Sequence, residues 1–169
     1  HHKHQTGLYW GFTRINGTGA EPEELKKWFY NPDKPKHIQK KIGRDYFHHP
    51  DGGYWQRVAA EVLIAEGQEL KWKTVYHMLD ESKAPILKET QTWTFTEKDK
   101  KYLLTLEWQG EALIDLTINQ FHYGGLFLRM PWKQGNMGEV INAARQKNEK
   151  ADGQRAMWVD VGMEIKGLD

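Results

Sequence analysis

Leu70-Lys71-Trp72-Lys73-Thr74-Val75-Tyr76-His77-Met78 alternates large side chains with mostly polar ones, and a period of two marks a strand with one buried face. Leu70, Trp72, Thr74, Tyr76 and Met78 share that face. Upstream, Val58, Ala60, Val62 and Ile64 share a face of their own, and Glu66-Gly67-Gln68 turns the chain between the two runs into a hairpin. Downstream, Ser82-Lys83-Ala84-Pro85 is a turn, and Leu87 to Thr96 is the next strand. Glu97-Lys98-Asp99-Lys100 is a charged turn ahead of Tyr102, Leu104, Leu106 and Trp108. Gln109-Gly110-Glu111 leads to Ile114, Leu116 and Ile118 on one face, and Gly124-Gly125 to Leu126–Met130. Met157, Val159, Val161, Met163 and Ile165 alternate towards the end. At the other end Leu8–Phe12 is a short aromatic strand before an Asn16-Gly17 turn.

About eight strands at short, regular spacing predict an all-β protein, an antiparallel β-sandwich, over a single domain 1–169. Strands do not alternate with long helices, which argues against a parallel α/β sheet. Two segments break the pattern. Glu21-Pro22-Glu23-Glu24 to Tyr30 has proline in its first turn and acids ahead of lysines, as a short surface helix should, and Asn31-Pro32-Asp33-Lys34-Pro35 ends it. Glu139 to Lys147 has helical propensity and a weak apolar stripe of Val140, Ala143 and Ala144. The sequence opens at His1 without methionine and closes at Gly167-Leu168-Asp169 with a strand pattern still running. An interior piece of a longer protein, truncated at both ends, is the expectation.

Composition narrows the chemistry. Among 169 residues, 24 Lys+Arg nearly balance 23 Asp+Glu, so no broad field attracts nucleic acid or an anionic membrane. The absence of cysteine removes disulfides, thiolate nucleophiles and Cys-ligated metals. No apolar run approaches the roughly 18 residues that cross a bilayer. There is no Gly-rich phosphate loop and no Gly-x-Ser-x-Gly elbow.

Three constellations remain. His2 and His4, at i and i+2, present both rings on one face of an extended strand, and His49 lies beside the Pro50-Asp51-Gly52-Gly53 loop. Imidazoles in such positions can hold a divalent metal through His2 and His4, but no carboxylate follows the His-x-His pair closely, so no cofactor is assigned. In Leu87-Lys88-Glu89-Thr90-Gln91-Thr92-Trp93-Thr94-Phe95, the apolar members fix the odd positions as the inward face, which turns Glu89 and Gln91 inward. An inward carboxylate is costly unless paired, and its pKa is shifted in the way acid–base catalysts exploit. The bland alternative is a glutamate at a frayed strand edge. Finally, Arg129 and Asp160 interrupt apolar strands, and Asp160 shares a face with Trp158. Charged groups beside an exposed indole suit a sugar, whereas most tryptophans simply pack in a core.

The runs His1-His2-Lys3-His4-Gln5-Thr6-Gly7-Leu8-Tyr9-Trp10-Gly11-Phe12, Arg44-Asp45-Tyr46-Phe47-His48, Lys88-Glu89-Thr90-Gln91-Thr92-Trp93, Tyr123-Gly124-Gly125-Leu126-Phe127-Leu128-Arg129 and Ala156-Met157-Trp158-Val159-Asp160 together resemble the PmoA-like family, labelled "methane oxygenase PmoA". The likeness covers nearly the whole chain. It implies a bacterial β-sandwich from polysaccharide degraders, with a periplasmic or extracellular location. The family label does not carry chemistry here, because the similarly named methane monooxygenase subunit is built of long transmembrane helices. Against the family, residues 19–42 look like an insertion carrying the surface helix.

Three functions stay open. The first is a carbohydrate-active enzyme in which Glu89 and one of His2, His4 or His49 act as acid and base. Arg129 and Asp160 would then hold hydroxyls, and Trp158 would stack on the ring. A mutarotase-like large sandwich would suit this by analogy alone. The second is a noncatalytic carbohydrate-binding module, and the third a His-ligated metalloenzyme. The expected partner is a carbohydrate or another small molecule.

Overall fold

The computed structural model describes residues 7–19, 23–29, 31, 33–47, 54–121, 124–130 and 138–164. The chain divides into two compact units, His1–Phe127 and Leu128–Asp169. It is all-β in class, with antiparallel sheets and short helices.

The centre of the first unit is a four-stranded antiparallel sheet in the order β2-β3-β4-β5. Its strands are β2 (Trp55–Glu66), β3 (Glu69–Leu79), β4 (Pro85–Lys98) and β5 (Lys101–Ala112). Each connection has its own local cause. The β4–β5 turn places Asp99 and Lys100 at φ 54° and 60°, the left-handed pair of a tight hairpin. Between β3 and β4, Asp80 Oδ1 accepts from Ser82 N at 2.8 Å, Ser82 Oγ at 2.6 Å and Ala84 N at 2.9 Å. These donors hold the Asp80 carboxyl below the usual carboxylate range.

Alternation holds along β4 and β5, where the register runs without a slip from Leu87↔Ala112 to Lys98↔Lys101, and along β3 from Glu69 to Met78, the β3–β4 register slipping only at Met78/Leu79. It fails along β2. The register slips at Arg57/Ala59 and again at Val62/Ile64, so Val62 faces Trp72 while Ile64 faces Lys71. Val58, Ala60, Val62 and Ile64 therefore do not share one face, because each bulge inserts an unpaired residue. The predicted strand Ile114–Ile118 is also absent. Asn16 holds that stretch as a loop, accepting from Thr117 N at 2.7 Å and donating to Asp115 O at 3.2 Å. Ile118 makes only a bridge to Ile15.

A small two-stranded sheet pairs β1 (Leu8–Gly11) with β6 (Gly125–Leu128). The chain leaving β1 lies over one end of the large sheet, a sandwich-like layering. There Ile15, Tyr46, Met78, Ile86 and Leu87 form the buried core, with Phe12, Tyr54, Trp55 and Leu116 packed against it. The Tyr46 hydroxyl donates to Leu79 O at 2.7 Å, and burial pushes its phenol well above the ordinary value.

The segment 19–42 contains two helices, α1 (Glu23–Lys26) and α2 (Lys36–Ile42), where the sequence predicted one. Their anchors, Leu25 and Ile42, are buried. Arg14, 4% exposed and at φ 54°, ties the segment down. Its Nε donates to Ile42 O at 3.3 Å, its Nη1 to Gln120 O at 3.3 Å and its Nη2 to Gly19 O at 2.5 Å. The crossing is tight: a Cβ on Gly17 would lie 2.4 Å from Ile42 O, and Gly43 sits at φ +88° against the Gly17 backbone.

The second unit is a ribbon of β7 (Gly138–Asn142) and β8 (Val159–Met163), with a 3₁₀ turn at Asn148–Lys150. The helix expected over Glu139–Lys147 is therefore overturned. Val140 and Ile141 suit a strand. Asn142, wholly buried, then closes a turn: its Oδ1 accepts from Ala144 N and Gln146 N, each at 3.0 Å. Arg145 at φ 62° completes that turn. The strand predicted from Met157 starts at Val159, and Met157 itself is 96% exposed. Met157 and Val159 thus do not point into an interior, since a two-strand ribbon supplies no opposing layer.

Candidate functional site

The site grows from the register of the large sheet. Glu89 on β4 pairs with Tyr76 on β3 and with Gly110 on β5, and Gln91 pairs with Trp108. Directly paired residues and alternate residues point to the same side, so these groups share one face with Trp93. Glu89 is 0% exposed.

A directed chain of donors fixes its carboxyl. Trp93 Nε1, a donor only, donates to Gln91 Oε1 at 3.0 Å. That orients the Gln91 amide, whose Nε2 donates to Glu89 Oε1. The roof comes from β5 and β1. Trp108 folds back along its own strand over Gly110, where an added Cβ would lie 2.4 Å from Trp108 Cη2. Trp10 rests on Trp108 with centroids 5.2 Å apart, and Phe12 meets Trp108 at 5.6 Å and Trp10 at 5.6 Å.

Polar atoms under this roof are unmatched. Glu89 Oε2 and the indole nitrogens of Trp10 and Trp108 are buried without an aligned hydrogen-bond partner. Burial raises the Glu89 pKa, while the Gln91 donor and the nearby Trp108 N–H pull the other way. The Trp108 N–H thus favours the charged form by proximity without completing a hydrogen bond. The net effect is upward, and Glu89 holds its proton to higher pH than an exposed glutamate.

On the same face, away from the roof, Trp72 stacks on Trp93 (6.1 Å, 14°) and Phe95 on Tyr102 (5.3 Å, 24°). An open groove of about 310 Å³ is lined by Ala60, Glu61, Val62, Leu70, Trp72 and Lys73. Tyr9 and Lys34 both feel the Asp45 carboxylate. Burial raises the Tyr9 phenol and lowers the Lys34 amine, and Asp45 adds to the first shift and opposes the second.

Of the residues singled out by sequence, Glu89 stands in this enclosed cluster in the first unit. Arg129 follows the end of β6 and is exposed. Trp158, 54% exposed, precedes β8, and Asp160 on β8 pairs with Ile141; all three belong to the second unit. His2, His4 and His49 lie outside the described residues. Among the described residues, no group of three His, Asp or Glu side chains is placed to hold a metal, and no helix is long and apolar enough to cross a membrane.

Trp108, Trp93 and Gly110 complete the cluster with Trp10, and the first three were not singled out by their sequence context. The available signal was Trp108-Gln109-Gly110, a tryptophan followed two positions on by a glycine on the same face. Only the β4–β5 register shows that this pair stands opposite Gln91 and Glu89.

The model of a family of unknown function (DUF6807) matches residues 1–169, and the chain belongs to that family. No curated protein and no solved structure matches it.

Proposed function

We propose that this member of the family is part of a carbohydrate-active protein in which Glu89 carries the proton passed to a sugar oxygen. The observation that supports this most is a fully enclosed glutamate with a raised pKa and one oxygen left unmatched beneath two indoles. A carboxyl that holds its proton to higher pH than an exposed one is better able to donate it to a leaving oxygen, and enclosure by aromatic rings is one way such tuning is achieved. Gln91, fixed by Trp93, holds the second oxygen and so sets the direction in which the acid can act.

In this reading the Trp10–Phe12 flap must lift for a substrate to reach Glu89. His4 or His49 serves as the base and His2 binds a hydroxyl, while Arg129, Asp160 and Trp158, which belong to the second unit, are left out of this reading. Glu89→Gln keeps the shape of the cluster and removes the proton. Turnover of a panel of oligosaccharides should fall by about 10²–10⁴-fold, with binding measured calorimetrically changed only a few-fold. Unchanged turnover with intact binding would end the reading.

One observation favours a noncatalytic alternative. Trp72, Phe95 and Tyr102 offer near-parallel aromatic pairs on an open part of the same face, which suits stacking on pyranose rings. If the chain only binds, Trp72→Ala abolishes glycan binding while Glu89→Gln leaves it intact, and neither protein turns over a sugar.

A further inference from the structure

We infer that the outer edge of β5 is a self-association site, where a second copy adds its own β5 antiparallel about a twofold axis beside Leu104. The two edges of the large sheet differ. β2 is broken by bulges at Arg57/Ala59 and Val62/Ile64, which disrupt the regular row of donors and acceptors that a new strand needs. β5 runs twelve residues without a slip, and among the described residues nothing pairs with its outer side.

That edge is apolar on both faces near its start, with Tyr102 69%, Leu103 65% and Leu104 44% exposed. Unprotected edges of this kind recruit another strand.

The sequence of β5 selects both the occupant and the register. With the axis at Leu104, Leu104 meets its own copy and Tyr102 meets Leu106 on one face. On the other face Leu103 meets Thr105, and Lys101 meets Glu107, twice by symmetry. Moving the axis to Thr105 sets Leu103 against Glu107. Moving it to Leu106 sets Leu103 against Gln109, and Lys101 against Glu111, which already pairs with Lys88 at 3.2 Å. The first register sets apolar against apolar at Leu104 and at Tyr102–Leu106 and cation against anion at Lys101–Glu107, and it leaves no apolar residue opposite a charge or an amide. It yields one continuous sheet running β2-β3-β4-β5 and back through the second copy.

The test is sedimentation equilibrium of the full chain from low to high micromolar concentration, with three variants. Lys101→Glu and Glu107→Lys lie on the exposed surface and leave the core untouched. Each should raise the dimer dissociation constant on the order of tenfold, because two attractive pairs become repulsive. The double variant Lys101→Glu/Glu107→Lys should restore the original value. A chain that stays monomeric throughout overturns the inference. A dimer indifferent to the single reversals, or a double variant as weak as the singles, overturns it equally, since association would then use another surface.

Discussion

One face of the large sheet has two halves that differ in what covers them. Towards Met78 and Leu87, segments leaving β1 close it, and these residues are 0% and 4% exposed. Towards Leu70, Leu104 and Tyr102 the same face, with the same alternation, is 40%, 44% and 69% exposed. Strand pattern therefore fixes which way a side chain points. What lies above it depends on segments distant in sequence. Glu89 stands at the roofed end, and the aromatic pairs run out into the open one.

The contrast is tested most strongly by truncation. Met78→Ala at the closed end should cost about 2–5 kcal/mol in denaturant unfolding, whereas Leu104→Ala at the open end should cost about 1 kcal/mol. Equal losses would mean that both halves are covered. Next, Gly110→Ala forces Trp108 off its seat, since the new methyl would lie 2.4 Å from Cη2. A loss of about 1–3 kcal/mol is expected, with a changed tryptophan fluorescence that Gly162→Ala, with nothing within 4 Å of its Cβ position, does not produce.

A subtler test of the roofed end is pH. The native Glu89 pKa is raised above the ordinary value of 4.5, so below 4.5 both folded and unfolded chains are protonated and stability is full. As pH rises from 4.5 the unfolded chain releases its proton first, and stability declines until native Glu89 ionises at its higher value. Glu89→Gln should remove that decline, which pH-dependent denaturation curves would show. The smallest effect belongs to the open end: Glu61→Ala loses the 3.0 Å pair with Lys73, whose partners are 58% and 38% exposed. About 0.5 kcal/mol or less is expected, because water and salt screen such a pair.

Much of the β3–β5 sheet was legible in the sequence, and so was the inward side of Glu89, because parity along Leu87–Phe95 needs only local information. The β2 bulges were not, since an extra residue in one strand is visible only against its partner. Residues 139–147 misled for a related reason: helical propensity is a weak prior, and one asparagine side chain that captures two backbone N–H groups outweighed it. In the candidate site, Glu89 and Gln91 could be read from spacing. The Trp108–Gly110 seat needed the cross-strand register, and the roof needed Trp10, remote in sequence from the strand it covers.

Arg14 bears on whether the 19–42 segment is modular. Its guanidinium is served by carbonyls at Gly19, Ile42 and Gln120, two of them supplied by that segment itself. Excising that stretch would strand a cation in the interior with a single acceptor among the described residues, and the shortened chain should fail to fold unless position 14 is neutralised in the same step.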